Sequence, residues 1–71
     1  FEFTVYPNPT SNYFNIFPFP QGSKIKVFNT SGQQVFESEQ IGPYSLDLPK
    51  GIYFVNIRSG NSNTIRKLLI Q

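Results

Sequence analysis

Six clusters of turn-forming residues, at 7–12, 17–22, 29–32, 39–43, 49–51 and 59–63, divide the chain into seven short segments. Turn signals at roughly 8–12-residue spacing mark an all-β sandwich or barrel. No apolar 3.6-residue period runs longer than a single turn, so no helix is expected. The predicted strands are 1–6, 13–17, 23–28, 33–37, 44–48, 52–58 and 64–70.

Within these segments the side chains alternate. Phe3 and Val5 share one face and Glu2 and Thr4 the other. Phe14 and Ile16, then Ile25 and Val27 against Lys24 and Lys26, repeat the pattern. The segment 52–58 is partly apolar on both faces, with Tyr53, Val55 and Ile57 on one and Ile52, Phe54 and Asn56 on the other, which predicts a central strand. Seven antiparallel strands in 71 residues make a seven-stranded, Ig-like antiparallel β-sandwich, with two stacked sheets over one core. Val5, Phe14, Ile16, Ile25, Val27, Val35, Leu46, Leu48, Tyr53, Val55, Ile57 and Leu68 form the predicted core. Turn chemistry closes the segments: prolines at 7 and 9 remove ladder donors, and Gly42 is expected to supply a positive φ.

Composition removes whole classes of function. The chain has no Cys and no His. Disulfides, thiolate metal sites and Ser-His or Cys-His nucleophile pairs are therefore impossible within it. Glu37 and Glu39 would share one strand face, but solvated charges at a strand end are the expected reading, not an acid–base pair. Four scattered acidic residues resemble no Ca²⁺ loop, and no Gly-rich phosphate loop is present. No metal or cofactor is expected. The net charge of +2 concentrates only at Lys24 with Lys26 and at Arg66 with Lys67. That is a solvated sheet face, too sparse for a nucleic-acid interface. Asn29-Thr30-Ser31 matches a glycosylation sequon only formally. The sequence opens on Phe1 and ends on an apolar strand, so 1–71 is expected to be one domain, a C-terminal fragment of a larger chain.

Four stretches in order carry a resemblance. They are Val5-Tyr6-Pro7-Asn8-Pro9, then Ile25 to Asn29 with Ser31-Gly32-Gln33-Gln34-Val35, then Leu48-Pro49-Lys50-Gly51-Ile52-Tyr53-Phe54-Val55, and finally Lys67-Leu68-Leu69-Ile70-Gln71. Together they resemble the type A C-terminal sorting domain of the type IX secretion system, over essentially the whole chain. The resemblance implies a non-catalytic sorting signal on large secreted or surface proteins of Bacteroidota, with the same sandwich fold. It implies three partners: an N-terminal cargo joined covalently, the outer-membrane translocon, and a sortase-like surface protease that commonly removes the domain. The implied path is the periplasm in transit, then the cell surface or medium.

Carried over by residue, the family's Gly-x-Tyr falls on Gly51 and Tyr53, and its terminal strand on Lys67, Leu68, Leu69, Ile70 and Gln71. These are the expected recognition residues. Pro7, Asn8, Pro9 and Gly32 are expected to be structural. Tyr53 is also a candidate core aromatic whose hydroxyl needs a partner. Exposed edge strands leave self-association open. Phe17-Pro18-Phe19-Pro20 is more aromatic than the family's usual loop. It supports an alternative in which Phe17, Phe19 and Tyr44 form a platform for carbohydrate or adhesion. An inert Ig-like spacer is the third reading.

Overall fold

Each segment bounded by turn residues becomes a strand in the computed structural model, which describes residues 2–71. The strands are β1 (Thr4–Tyr6), β2 (Tyr13–Phe17), β3 (Lys24–Phe28), β4 (Gln34–Ser38), β5 (Tyr44–Ser45), β6 (Gly51–Ser59) and β7 (Ser62–Ile70). The described residues contain no helix. A three-stranded sheet has the order β1-β2-β5 and a four-stranded sheet the order β4-β3-β6-β7. Every neighbouring pair is antiparallel. The chain is thus an all-β sandwich, and β6 is an interior strand of its sheet, between β3 and β7.

The core lies between the sheets. Phe14, Ile25, Val27, Val55, Ile57 and Leu68 are fully buried, and Val5, Ile16, Leu46 and Tyr53 nearly so. Val35 and Leu48 lie at its rim, partly buried. The reason at β4 is register. Val27 pairs with Phe36, and the pairing shifts between Val27 and Phe28. A one-residue shift exchanges the faces of a strand, so Phe36 takes the inward place expected of Val35. Leu48 lies beyond β5, whose ladder stops at Ser45. Phe3, Tyr44 and Ile70 join the core.

Two turns differ from expectation. The loop predicted over 59–63 shrinks to Gly60-Asn61, because Ser59 pairs with Ser62. Gly60 has φ +61°, and a two-residue turn of this kind matches the strand twist. The ladder therefore runs to the tip, and β6 and β7 each span nine residues. Gly42 does not have a positive φ. It is small because the Tyr44 ring lies on it: a Cβ there would meet the ring at 2.8 and 2.9 Å. Tyr44 is itself fixed by Phe14, Phe36 and Phe19, with centroids at 5.1, 5.9 and 6.4 Å. Its hydroxyl donates to the Gln40 carbonyl at 2.5 Å.

Candidate functional site

Strand pairing gathers the residues singled out in the sequence at one end of the four-stranded sheet. Gly51 lies opposite Ile70, Ile52 opposite Leu69, Tyr53 opposite Leu68 and Phe54 opposite Lys67. Gly51 has φ +153°, where L side chains are rare. A Cβ there would meet only the Tyr53 ring, at 3.9 Å, so backbone conformation and not crowding calls for glycine. Two residues on, Tyr53 is buried and its hydroxyl donates to the Pro49 carbonyl at 2.7 Å. Gly51 and Tyr53 therefore lock the turn that starts β6, and β6 in turn carries the end of β7.

The other edge of β7 is held by the Pro-Asn-Pro segment. Asn8 Oδ1 accepts from the Leu69 N–H at 3.0 Å, and Asn8 Nδ2 donates to the Lys67 carbonyl at 2.9 Å. The carboxamide stands in for a peptide group of a neighbouring strand. Pro7 and Pro9 fix φ on both sides of Asn8, and Pro9 also biases Asn8 toward extended backbone. Thr10 then continues the row. Its N–H donates to the Leu69 carbonyl at 2.9 Å, and its carbonyl accepts from the Gln71 N–H at 2.8 Å. Thr10 and Ile70 form a parallel bridge. Thr10 is buried, and its hydroxyl donates to the Tyr13 carbonyl, which ties the clamp to β2.

Thr10 was not among the expected site residues. The two-residue spacing of Asn8 and Thr10 has the strand period, and that was the available signal. Gly32 lies apart. It ends the β3–β4 turn at φ +86°, where Asn29 Oδ1 accepts from the N–H groups of Ser31 and Gln33, each at 3.0 Å. Its loop is at the same end of the sheet, but β3 and β6 separate β4 from β7.

Held from both sides, the end of β7 presents two sets of side chains. Leu68 and Ile70 are buried. Lys67 and Gln71 are exposed and Leu69 is partly so. Lys67 and Leu69 share the outer face with Phe54 and Ile52, which are 36% and 42% exposed. The result is a small apolar patch with a cation beside it. Lys67 has no salt-bridge partner among the described residues.

The remaining candidates separate from this corner. Lys24 Nζ lies 2.7 Å from Glu37 and 3.9 Å from Glu39. Its hydrogen bond and charge hold Glu37 below the usual carboxylate range, and Glu37 in turn raises Lys24. Both are exposed, so the glutamates are members of a solvated ion pair. Phe17 is 68% exposed, whereas Tyr44 is buried and Phe19 packs against the core. These three rings do not form one exposed platform. Among the described residues no group of three or more His, Cys, Asp or Glu could hold a metal ion.

The chain matches the family model described as the secretion system C-terminal sorting domain over residues 4–71. No curated protein matches it.

Proposed function

The chain is a member of the secretion system C-terminal sorting domain family, and we propose that it acts as a non-catalytic address, read as a folded object by the type IX outer-membrane translocon. In this reading it is one domain at the C-terminal end of a larger secreted protein. It crosses the periplasm with its cargo and is commonly removed by a sortase-like protease when the cargo reaches the surface. The recognition surface is the end of β7 with its supports: Gly51, Tyr53, Lys67, Leu68, Leu69, Ile70 and Gln71.

One observation carries this assignment beyond the family match. Residues 67–70 pair with β6 along one edge, and the Asn8–Thr10 clamp holds the other edge as far as Gln71. A recognition element held this way has little conformational entropy to lose on docking. Leu68 and Ile70 set the strand in place, and Lys67, Leu69 and Gln71 face the partner.

The test is a fluorescent reporter exported to the periplasm and fused to this domain. It is expressed in a strain with an intact type IX system and in one without the translocon. Signal at the surface or in the medium only in the intact strain is expected. Retention in both strains would overturn the assignment.

A further inference from the structure

We infer that the open part of the β7 edge, residues 63–67, is the place where an extended, acidic segment of the secretion machinery adds as a further strand; this rests on the sorting assignment above. Alternation along β7 sets which backbone groups are available. Lys67 and Leu69 direct theirs away from β6 toward Asn8 and Thr10. Asn63 and Ile65, at the same parity, direct theirs outward as well. The Ile65 N–H has no hydrogen-bond partner among the described residues, and the Ile65 carbonyl meets only the exposed Arg66 guanidinium, at 3.2 Å.

The edges of the two sheets are protected unequally. β1 has three residues and runs into Pro7, and β5 has two. Short edges and prolines are ordinary defences against unwanted pairing. β4 has five residues and carries Glu37, which is paired with Lys24. β7 has nine, and its clamp covers only the last of them. The fold itself shows that this edge accepts an added segment, because Thr10 pairs with it in parallel. A partner strand would continue the row that Thr10 begins.

Charge and shape select the partner. A groove between the edges of the two sheets is lined by Phe3, Val5, Asn8, Arg66 and Lys67. Alternate side chains of an added strand would enter it, and the others would lie beside Ile65, which is 58% exposed. Arg66 stands over the Phe3 ring at 5.1 Å, and Lys67 has no anionic partner among the described residues. β7 contains no acidic residue. Acidic side chains on the incoming segment would meet a cation on either face, while its main chain supplies the binding hydrogen bonds.

The experiment uses the reporter fusion with two substitutions at one position. Ile65→Pro removes an outward N–H that the ladder does not use, a place where an edge strand tolerates proline. Ile65→Thr keeps the N–H and trims the side chain. Both variants are also purified, for unfolding midpoint and solution mass. The expected result is near-wild-type display for Ile65→Thr. Ile65→Pro should be folded, with periplasmic retention and display reduced at least about tenfold, the effect of ~1.4 kcal/mol of docking free energy. Wild-type display by folded Ile65→Pro overturns the inference. If Ile65→Pro is unfolded, Arg66→Glu decides, since Arg66 lines the groove but is not among the recognition residues above: reduced display by the folded variant supports the edge, and wild-type display overturns it. A wild-type dimer that Ile65→Pro converts to monomer would give the edge to a second copy and also overturn it. Wild-type display that does not need the translocon would sink the sorting assignment instead.

Discussion

Replacing Asn8 by alanine should loosen the clamped edge of β7 at Lys67 and Leu69 while leaving the Thr10 bonds and the β6 ladder in place. The substitution removes two hydrogen bonds, to the Leu69 N–H at 3.0 Å and the Lys67 carbonyl at 2.9 Å. A net hydrogen bond contributes about 0.5–1.5 kcal/mol. Asn8 is exposed, so water replaces both partners and the lower half of that range applies. A loss of about 1–2 kcal/mol is expected for the two bonds together, with the midpoint of thermal unfolding falling by several degrees. The sharper readout is amide exchange by NMR. The Leu69 N–H is held only by Asn8, whereas those of Leu68 and Ile70 point to β6. In Asn8→Ala, Leu69 should approach the exchange rate of an unstructured peptide. Leu68 and Ile70 should accelerate only as far as the global destabilisation dictates. Asn8→Asp separates the two bonds: it keeps the acceptor for Leu69 but places a carboxylate oxygen against the Lys67 carbonyl. Unchanged Leu69 protection in Asn8→Ala would refute the clamp.

Three further substitutions test other parts of the structure. Ser23 is fully buried and its hydroxyl has no partner among the described residues, so Ser23→Ala should stabilise by about 1 kcal/mol, read as a raised midpoint in chemical unfolding. Gly42→Ala drives a methyl group into the Tyr44 ring at 2.8 Å, and three aromatic neighbours prevent that ring from yielding; the expected loss is about 1–3 kcal/mol by the same assay. Glu37 titrates below its ordinary range because of Lys24, so its small contribution is present above the usual carboxylate pKa and fades as pH falls through its lower folded value. Unfolding midpoints of wild type and Glu37→Gln should therefore differ most near neutrality and converge in acid; divergence at low pH would contradict the pairing.

Strand number and order of burial were legible because they depend on local alternation and turn chemistry. Seven segments and ten of the twelve expected core residues follow from a period of two. Errors arose where a non-local choice intervened. The register shift beside Val27 placed Phe36 inward, and no local pattern in 33–37 announces it. Gly42 carries the signature of a turn, yet its role comes from a ring two residues away. Gly51 and Tyr53 are visible as a short motif, but their adjacency to Leu68 and Ile70 needs the β6–β7 pairing. The clamp was the least visible feature. Asn8 contacts residues 59 and 61 positions later, and Pro-Asn-Pro read alone indicates only a turn.

Deleting residues 67–71 is the obvious way to test a sorting signal at the end of β7, and the structure predicts that it would mislead. The deletion removes Leu68 and Ile70, both buried, and with them the partners of Tyr53 and Gly51. Truncating a buried Leu or Ile to Ala alone costs about 2–5 kcal/mol. A domain of 71 residues has roughly 4–11 kcal/mol in total. Losing both side chains, four strand pairings and the clamp consumes that margin, so the truncated domain should show no cooperative unfolding transition. Its cargo would be retained whether or not the removed residues touch the translocon. The alternation along β7 offers a cleaner division. Lys67 and Gln71 are exposed and contribute no core contact, so Lys67→Ala and Gln71→Ala should unfold within about 0.5 kcal/mol of wild type, as surface substitutions do. Reduced display by these folded variants would locate recognition on the outward side chains. Full display by both, with loss only on Leu68→Ala, would mean that the end of β7 serves the fold and that the machinery reads the domain elsewhere.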